Sequence, residues 1–170
     1  AFQNSRGLSA DGIVGKNTWS ALTSSPVPTP EPTPDPGSKK IKICIDPGHG
    51  GSDRFNVGKN GYIEADGVLK IAKAMRDALL KTGKFDVLLT REEDKTVDLR
   101  PRADMAADWG ADMFISLHTN ANSNLSVRGS YCYYSLQLPQ TQIWAEKLGQ
   151  MTANLFGVPH LGAMVQRSNS

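Results

Sequence analysis

The chain has 170 residues, 39% of them hydrophobic, which suits one ordinary α/β domain with a small appendage. Charged residues make up 21% and the net charge is only +2, too little for the broad field that draws nucleic acid or an anionic membrane. No apolar run approaches the roughly 20 residues of a membrane span, so no such segment is expected.

The chain opens at Ala1 without a methionine, and both ends are expected to be cut. The absence of a signal peptide therefore carries no information about secretion. Residues 1–25 are too few to form a core unaided and are expected to belong to something larger. From Pro26 to Pro36 proline takes every second position, which removes backbone donors and leaves only Val27 to bury. This is a semi-rigid linker, 26–39, whose 11 residues from Pro26 to Pro36 would reach about 35 Å in polyproline II geometry.

The domain then reads 40–170. Ile41 to Ile45 is a β-branched run that predicts a strand, and Val68 to Leu80 predicts a helix through Val68, Ile71, Ala72, Met75 and Leu79. Asp86 to Thr90 reads as a strand, Leu99 to Trp109 as a helix and Met113 to Leu117 as a strand. A strand from Gly129 to Ser135 and a helix from Thr141 to Phe156 complete the pattern. Strands alternating with helices predict an α/β fold: a mostly parallel, mixed twisted sheet with helices on both faces. Cys44 sits in an apolar run and Cys132 in an aromatic one, so both read as core residues, not as a disulfide pair.

In open α/β sheets functional groups collect beyond the carboxyl ends of the strands. His49 follows the first strand in IDPGHGG, and His118 follows the Met113 to Leu117 strand in FISLHTN. Glu64 lies in the loop that opens the Val68 helix, on the same edge. Two neutral imidazoles and a carboxylate are the ligand set of catalytic zinc sites. Gly48, Gly50 and Gly51 would allow the close backbone approach that turns a histidine over a metal, and Pro47 stiffens the turn. A phosphate cradle is the rival reading of this glycine loop, but the Lys-Ser/Thr pair of a P-loop and the spacing of a dinucleotide fingerprint are both missing. Asp66 competes with Glu64 as the carboxylate ligand.

IDPGHGG, GYIEAD, LLTREED with LRPRADMA, and ADMFISLHTNA occur in an order and spacing that resemble the zinc-dependent N-acetylmuramoyl-L-alanine amidases of bacterial cell walls. The resemblance covers Ile41 to about Phe156. It implies zinc held by His49, Glu64 and His118, favouring Glu64 over Asp66. Asp46 is then either an acceptor that orients an imidazole or a turn residue. Arg91 and Arg102 match recurrent arginines of the family, with surface pairing to Asp94 or Asp98 as the plainer reading. His160 fits no motif and reads as a solvated loop residue. Residues 1–25, FQ...GLSADGIVGKNTWSAL, resemble the second half of a peptidoglycan-binding module, with Ile13, Trp19 and Leu22 as its core contacts.

The implied reaction is hydrolysis of the amide between N-acetylmuramic acid and the L-alanine of the stem peptide by zinc-activated water. Peptidoglycan is the expected partner, the cell wall outside the cell the expected location, and a monomer the expected state. The family's general-base glutamate is expected after Ser170. Glu146, the glutamate nearest the end, sits mid-helix on a face read as solvated. The alternatives are a zinc peptidase acting within the stem peptide and a non-catalytic wall-binding protein that keeps the fold. A host autolysin and a phage endolysin would share this chemistry.

Overall fold

The structure, a computed structural model, describes residues 39–54, 56–58, 60–124 and 126–166. The expected binding-module segment and the linker before Lys39 lie outside these residues. The chain divides into two compact units, one ending at Thr119 and one beginning at Asn120.

In the first unit β1 (Ile41–Pro47) is the central strand of a three-stranded parallel sheet, flanked by β2 (Phe85–Leu89) and β3 (Met113–Leu117). Register pairs Ile45 with Leu89 on one side and with Ile115 on the other. A central parallel strand is covered on both faces, which is why Ile43 through Pro47 are all buried. Helix α1 (Glu64–Lys81) lays Ala72, Met75 and Leu79 against Ile43, Ile45 and Leu89 to form the core. Ile71, expected on that face, is 43% exposed instead, because the stripe follows the positions four and seven residues after Val68. Helix α1 begins at Glu64, about a turn before Val68, so Glu64 is the first helical residue and not part of the preceding loop. Helix α2 (Leu99–Trp109) ends on Gly110 in the left-handed conformation that caps helices.

The second unit is a parallel β-α-β crossover: β4 (Ser130–Ser135), a short 3₁₀ turn (Pro139–Thr141), helix α3 (Gln142–Phe156) and β5 (His160–Gln166). The strand from 160 was not expected. Helix α3 buries a stripe of small residues, Ala145, Gly149 and Ala153. His160 is a strand residue with 13% of its side chain exposed, not a solvated loop residue. Its Nε2 meets Glu146 Oε1 at 2.8 Å, while Glu146 Oε2 accepts the Ala163 N–H. Glu146 is half exposed, as its mid-helix position implied, yet both of its oxygens are engaged. Both cysteines are free, Cys44 buried and Cys132 half-buried.

Candidate metal centre

Three elements of the first unit deliver the central side chains. His49 follows β1, His118 follows β3, and Glu64 opens α1. The parallel order β2-β1-β3 puts the carboxyl ends of β1 and β3 side by side, with Pro47 opposite Leu117. Residues just past those ends therefore meet.

The three meet through specific atoms. His118 Nδ1 stands 3.2 Å from His49 Nε2 and 3.2 Å from Glu64 Oε1, and His49 Nε2 stands 3.5 Å from the same Glu64 oxygen. The imidazoles are edge to face, their centroids 4.8 Å apart. A tetrahedral ion with bonds of about 2.0–2.1 Å keeps its ligand atoms roughly 3.3 Å apart. The triangle has that size, and the group can hold a metal ion.

Each member is held by neighbours. The Asp53 carboxylate lies 2.8 Å from His49 Nδ1. A carboxylate only accepts, so Nδ1 carries the hydrogen and Nε2 presents its lone pair to the cluster. Glu64 is 3% exposed; Oε1 accepts the Thr119 N–H at 2.6 Å and Oε2 the Asn56 amide at 2.9 Å. A buried carboxylate at a helix N-terminus also gains from the helix dipole. His118 keeps about half of its side chain in solvent, so the cluster is open on its side. Its ring lies where a side chain on residue 48 would be: a Cβ there would run into His118 Cε1 and Nε2, which only glycine avoids.

Asp66 is not part of the cluster. Its carboxylate pairs with Arg54 at 2.7 Å, and Arg54 also pairs with Asp94. Asp94 in turn accepts the Gly51 N–H, and this bond, helped by Arg54, holds its carboxyl below the usual carboxylate range.

Asp46 orients no imidazole and is not a turn residue. It lies in β1, 3% exposed, and accepts from Thr90 Oγ1 at 2.5 Å, Ser116 Oγ at 2.7 Å and Arg102 Nη1 at 2.7 Å. The residue that orients His49 is Asp53, four positions later in the same loop. Arg91 and Arg102 are not surface residues paired with Asp94 or Asp98; they are 1% and 6% exposed. Burial lowers the Arg91 pKa, with Arg102 beside it adding to the effect.

Asn56 and Thr119 also escaped the sequence reading. Thr119 acts through its backbone, which no motif records, whereas Asp53 in GHGGSD was findable as a carboxylate one short turn from the histidine.

A parallel sheet whose carboxyl edge gathers two imidazoles and a buried carboxylate defines an α/β domain with a candidate catalytic metal centre. The family description "N-acetylmuramoyl-L-alanine amidase" matches residues 43–167, and the chain belongs to that family. It is 42% identical over 102 residues to N-acetylmuramoyl-L-alanine amidase CwlM of Bacillus licheniformis, covering 59% of this chain and 40% of that protein. It is 36% identical over 121 residues to the amidase AmiC of Escherichia coli O6:H1, covering 65% of this chain and 29% of AmiC. The chain thus spans well under half the length of these curated relatives.

Among solved structures, an N-acetylmuramoyl-L-alanine amidase from Clostridium difficile 630 matches with a TM-score of 0.69 and 28% identity, over 76% of this chain and 71% of that one. The catalytic domain of CwlV from Bacillus (Paenibacillus) polymyxa var. colistinus gives 0.69 and 26%, over 75% and 70%.

Proposed function

We propose that this chain carries the metal centre of a peptidoglycan hydrolase. It cleaves the amide between N-acetylmuramic acid and the L-alanine of the stem peptide, in the cell wall outside the cytoplasm. The observation that carries the reading is the triangle of His49 Nε2, His118 Nδ1 and Glu64 Oε1, whose 3.2 to 3.5 Å edges suit zinc.

Those three atoms would hold the ion. Bound zinc supplies Lewis acidity and lowers the pKa of water to about 7. The protein's own contribution is placement. Asp53 fixes the His49 tautomer, and a partner of this kind typically changes metal affinity or activity 10- to 100-fold. Thr119 and Asn56 leave Glu64 little freedom to rotate. Gly48 makes room for the His118 ring. The exposed side of His118 leaves a path by which a polymeric substrate can approach.

The test is product analysis of purified peptidoglycan digested by the protein as its gene encodes it. The proposal expects new amino groups on L-alanine with muramic acid intact, and their loss in His118→Ala. Release of other stem-peptide residues would assign a peptidase, and wall binding without any new amino group would assign a binding protein.

A further inference from the structure

Three consecutive carbonyls, those of Pro47, Gly48 and His49, all turn toward two buried guanidinium groups. Arg91 Nε donates to Pro47 O at 2.9 Å and its Nη2 to Gly48 O at 2.8 Å. Arg102 Nη1 donates to Pro47 O and its Nη2 to His49 O, both at 2.8 Å. Successive carbonyls of a regular strand alternate in direction, so this arrangement requires the backbone to leave β geometry. It does so through His49 itself, the one non-glycine residue with positive φ among those described, at 58°. A left-handed conformation is unfavourable for an L-residue with a side chain, so something must oppose it.

The two arginines also reach the other ligand elements. Arg91 Nη2 donates to Ala65 O at 2.8 Å, one residue after Glu64 in the first turn of α1. Arg102 Nε donates to Val97 O at 2.8 Å, and its Nη1 pairs with Asp46, which also holds Ser116, two residues before His118. One guanidinium therefore ties the His49 loop to the start of the Glu64 helix. The other ties that loop to β1 and, through Asp46, to the strand leading to His118.

Burying two like charges side by side is costly. Only a planar fork with several fixed donors can serve so many carbonyls at once; a lysine offers a point charge on a flexible stem.

We infer that Arg91 and Arg102 are positioning residues of the metal centre. Their guanidinium groups hold the 47–49 backbone in the left-handed turn that aims His49 Nε2 at Glu64 and His118. The inference rests on the metal-binding reading above. It requires more of the arginines than stability: with the fold intact, losing the fork must loosen the metal.

The experiment measures zinc affinity by competition with a chromophoric chelator in the wild type, Arg91→Lys, Arg102→Lys and the control Arg76→Lys, whose half-buried guanidinium pairs with Asp77 and Glu92 instead. Far-UV circular dichroism and thermal unfolding are recorded on the metal-free forms. Both buried-site variants are expected to fold and to bind zinc about 10- to 100-fold more weakly, while the Arg76 control matches the wild type.

A folded Arg91→Lys or Arg102→Lys with wild-type zinc affinity overturns the inference. So does failure of both to fold, which would assign the arginines to stability alone. A wild type that takes up no zinc is a separate outcome: it removes the metal-binding reading, and this inference with it.

Discussion

Asp46→Ala should be among the most destabilising single changes in the first unit, although Asp46 touches none of the three cluster residues. Its Oδ1 accepts from both Thr90 Oγ1 and Arg102 Nη1, and its Oδ2 from Ser116 Oγ. Removing one partner of a buried ion pair typically costs about 3–5 kcal/mol. Arg102 keeps three carbonyl acceptors, those of Pro47, His49 and Val97, which places its share near the lower end, about 3 kcal/mol. Thr90, 1% exposed, loses its acceptor for about 1 kcal/mol more, while Ser116 can turn to water.

The expected loss for Asp46→Ala is therefore about 4 kcal/mol, a large part of a typical domain's stability. Asp46→Asn keeps an oxygen where Thr90 and Arg102 donate and turns its amide to the Ser116 hydroxyl, which can accept. It should cost only about 1–2 kcal/mol. Urea unfolding followed by far-UV circular dichroism, in chelator so that metal binding does not contribute, measures both. A cost below about 1 kcal/mol for Asp46→Ala, or equal costs for the two variants, would refute the reasoning.

Further outcomes follow from the same geometry. Gly48→Ala drives a methyl group into the His118 ring, so zinc affinity should fall at least about 10-fold with the fold largely retained; calorimetric titration showing wild-type affinity would contradict the contact. Cys44 is fully buried, and burial, with Asp46 adding to it, pushes its thiol up to about 11. It should resist a thiol reagent at about pH 8 until urea unfolds the protein, and rapid native labelling would count against the placement. Asp94 has a folded pKa held below the usual value by the Gly51 N–H and Arg54. Its contribution is therefore present above about pH 4 and lost as pH falls through the lowered value. The melting-temperature gap between wild type and Asp94→Asn should shrink from about pH 6 to about pH 3, and a constant gap would show that the carboxylate is not linked to folding.

Much of the fold was readable because hydrophobic periodicity reports burial. Helix α2 and β3 lie where the pattern put them, and β1 and β2 differ from it by a residue or two at their ends. Strand β5 escaped because HLGAMVQ has one β-branched residue, Val165, and a glycine at its third position. His160 was misread for the same reason: once its strand is missing, nothing places it against α3. The start of α1 was placed late because the charged Glu64 and Asp66 flank Ala65, a small residue that is 1% exposed and continues the stripe of Val68 and Ala72; the first turn packs on the core as well as serving the cluster.

At the site, His49 and His118 were legible from their place after β1 and β3, and Glu64 over Asp66 only from the family resemblance, while the roles of their neighbours were not. Asp46 sits in an apolar run, which signals a buried polar group, but only the register opposite Ser116 shows that its partners are hydroxyls and a guanidinium, not an imidazole. Arg91 and Arg102 look like surface residues by composition. Their burial makes sense only once three consecutive carbonyls are seen facing inward, which depends on the backbone turn at His49.

The most direct measurement is the metal content of the purified protein beside His49→Ala, Glu64→Gln and His118→Ala, each checked for retained fold. The account predicts about one zinc per wild-type chain and a large loss of occupancy in every variant. Zinc occupancy unchanged by these substitutions would contradict it.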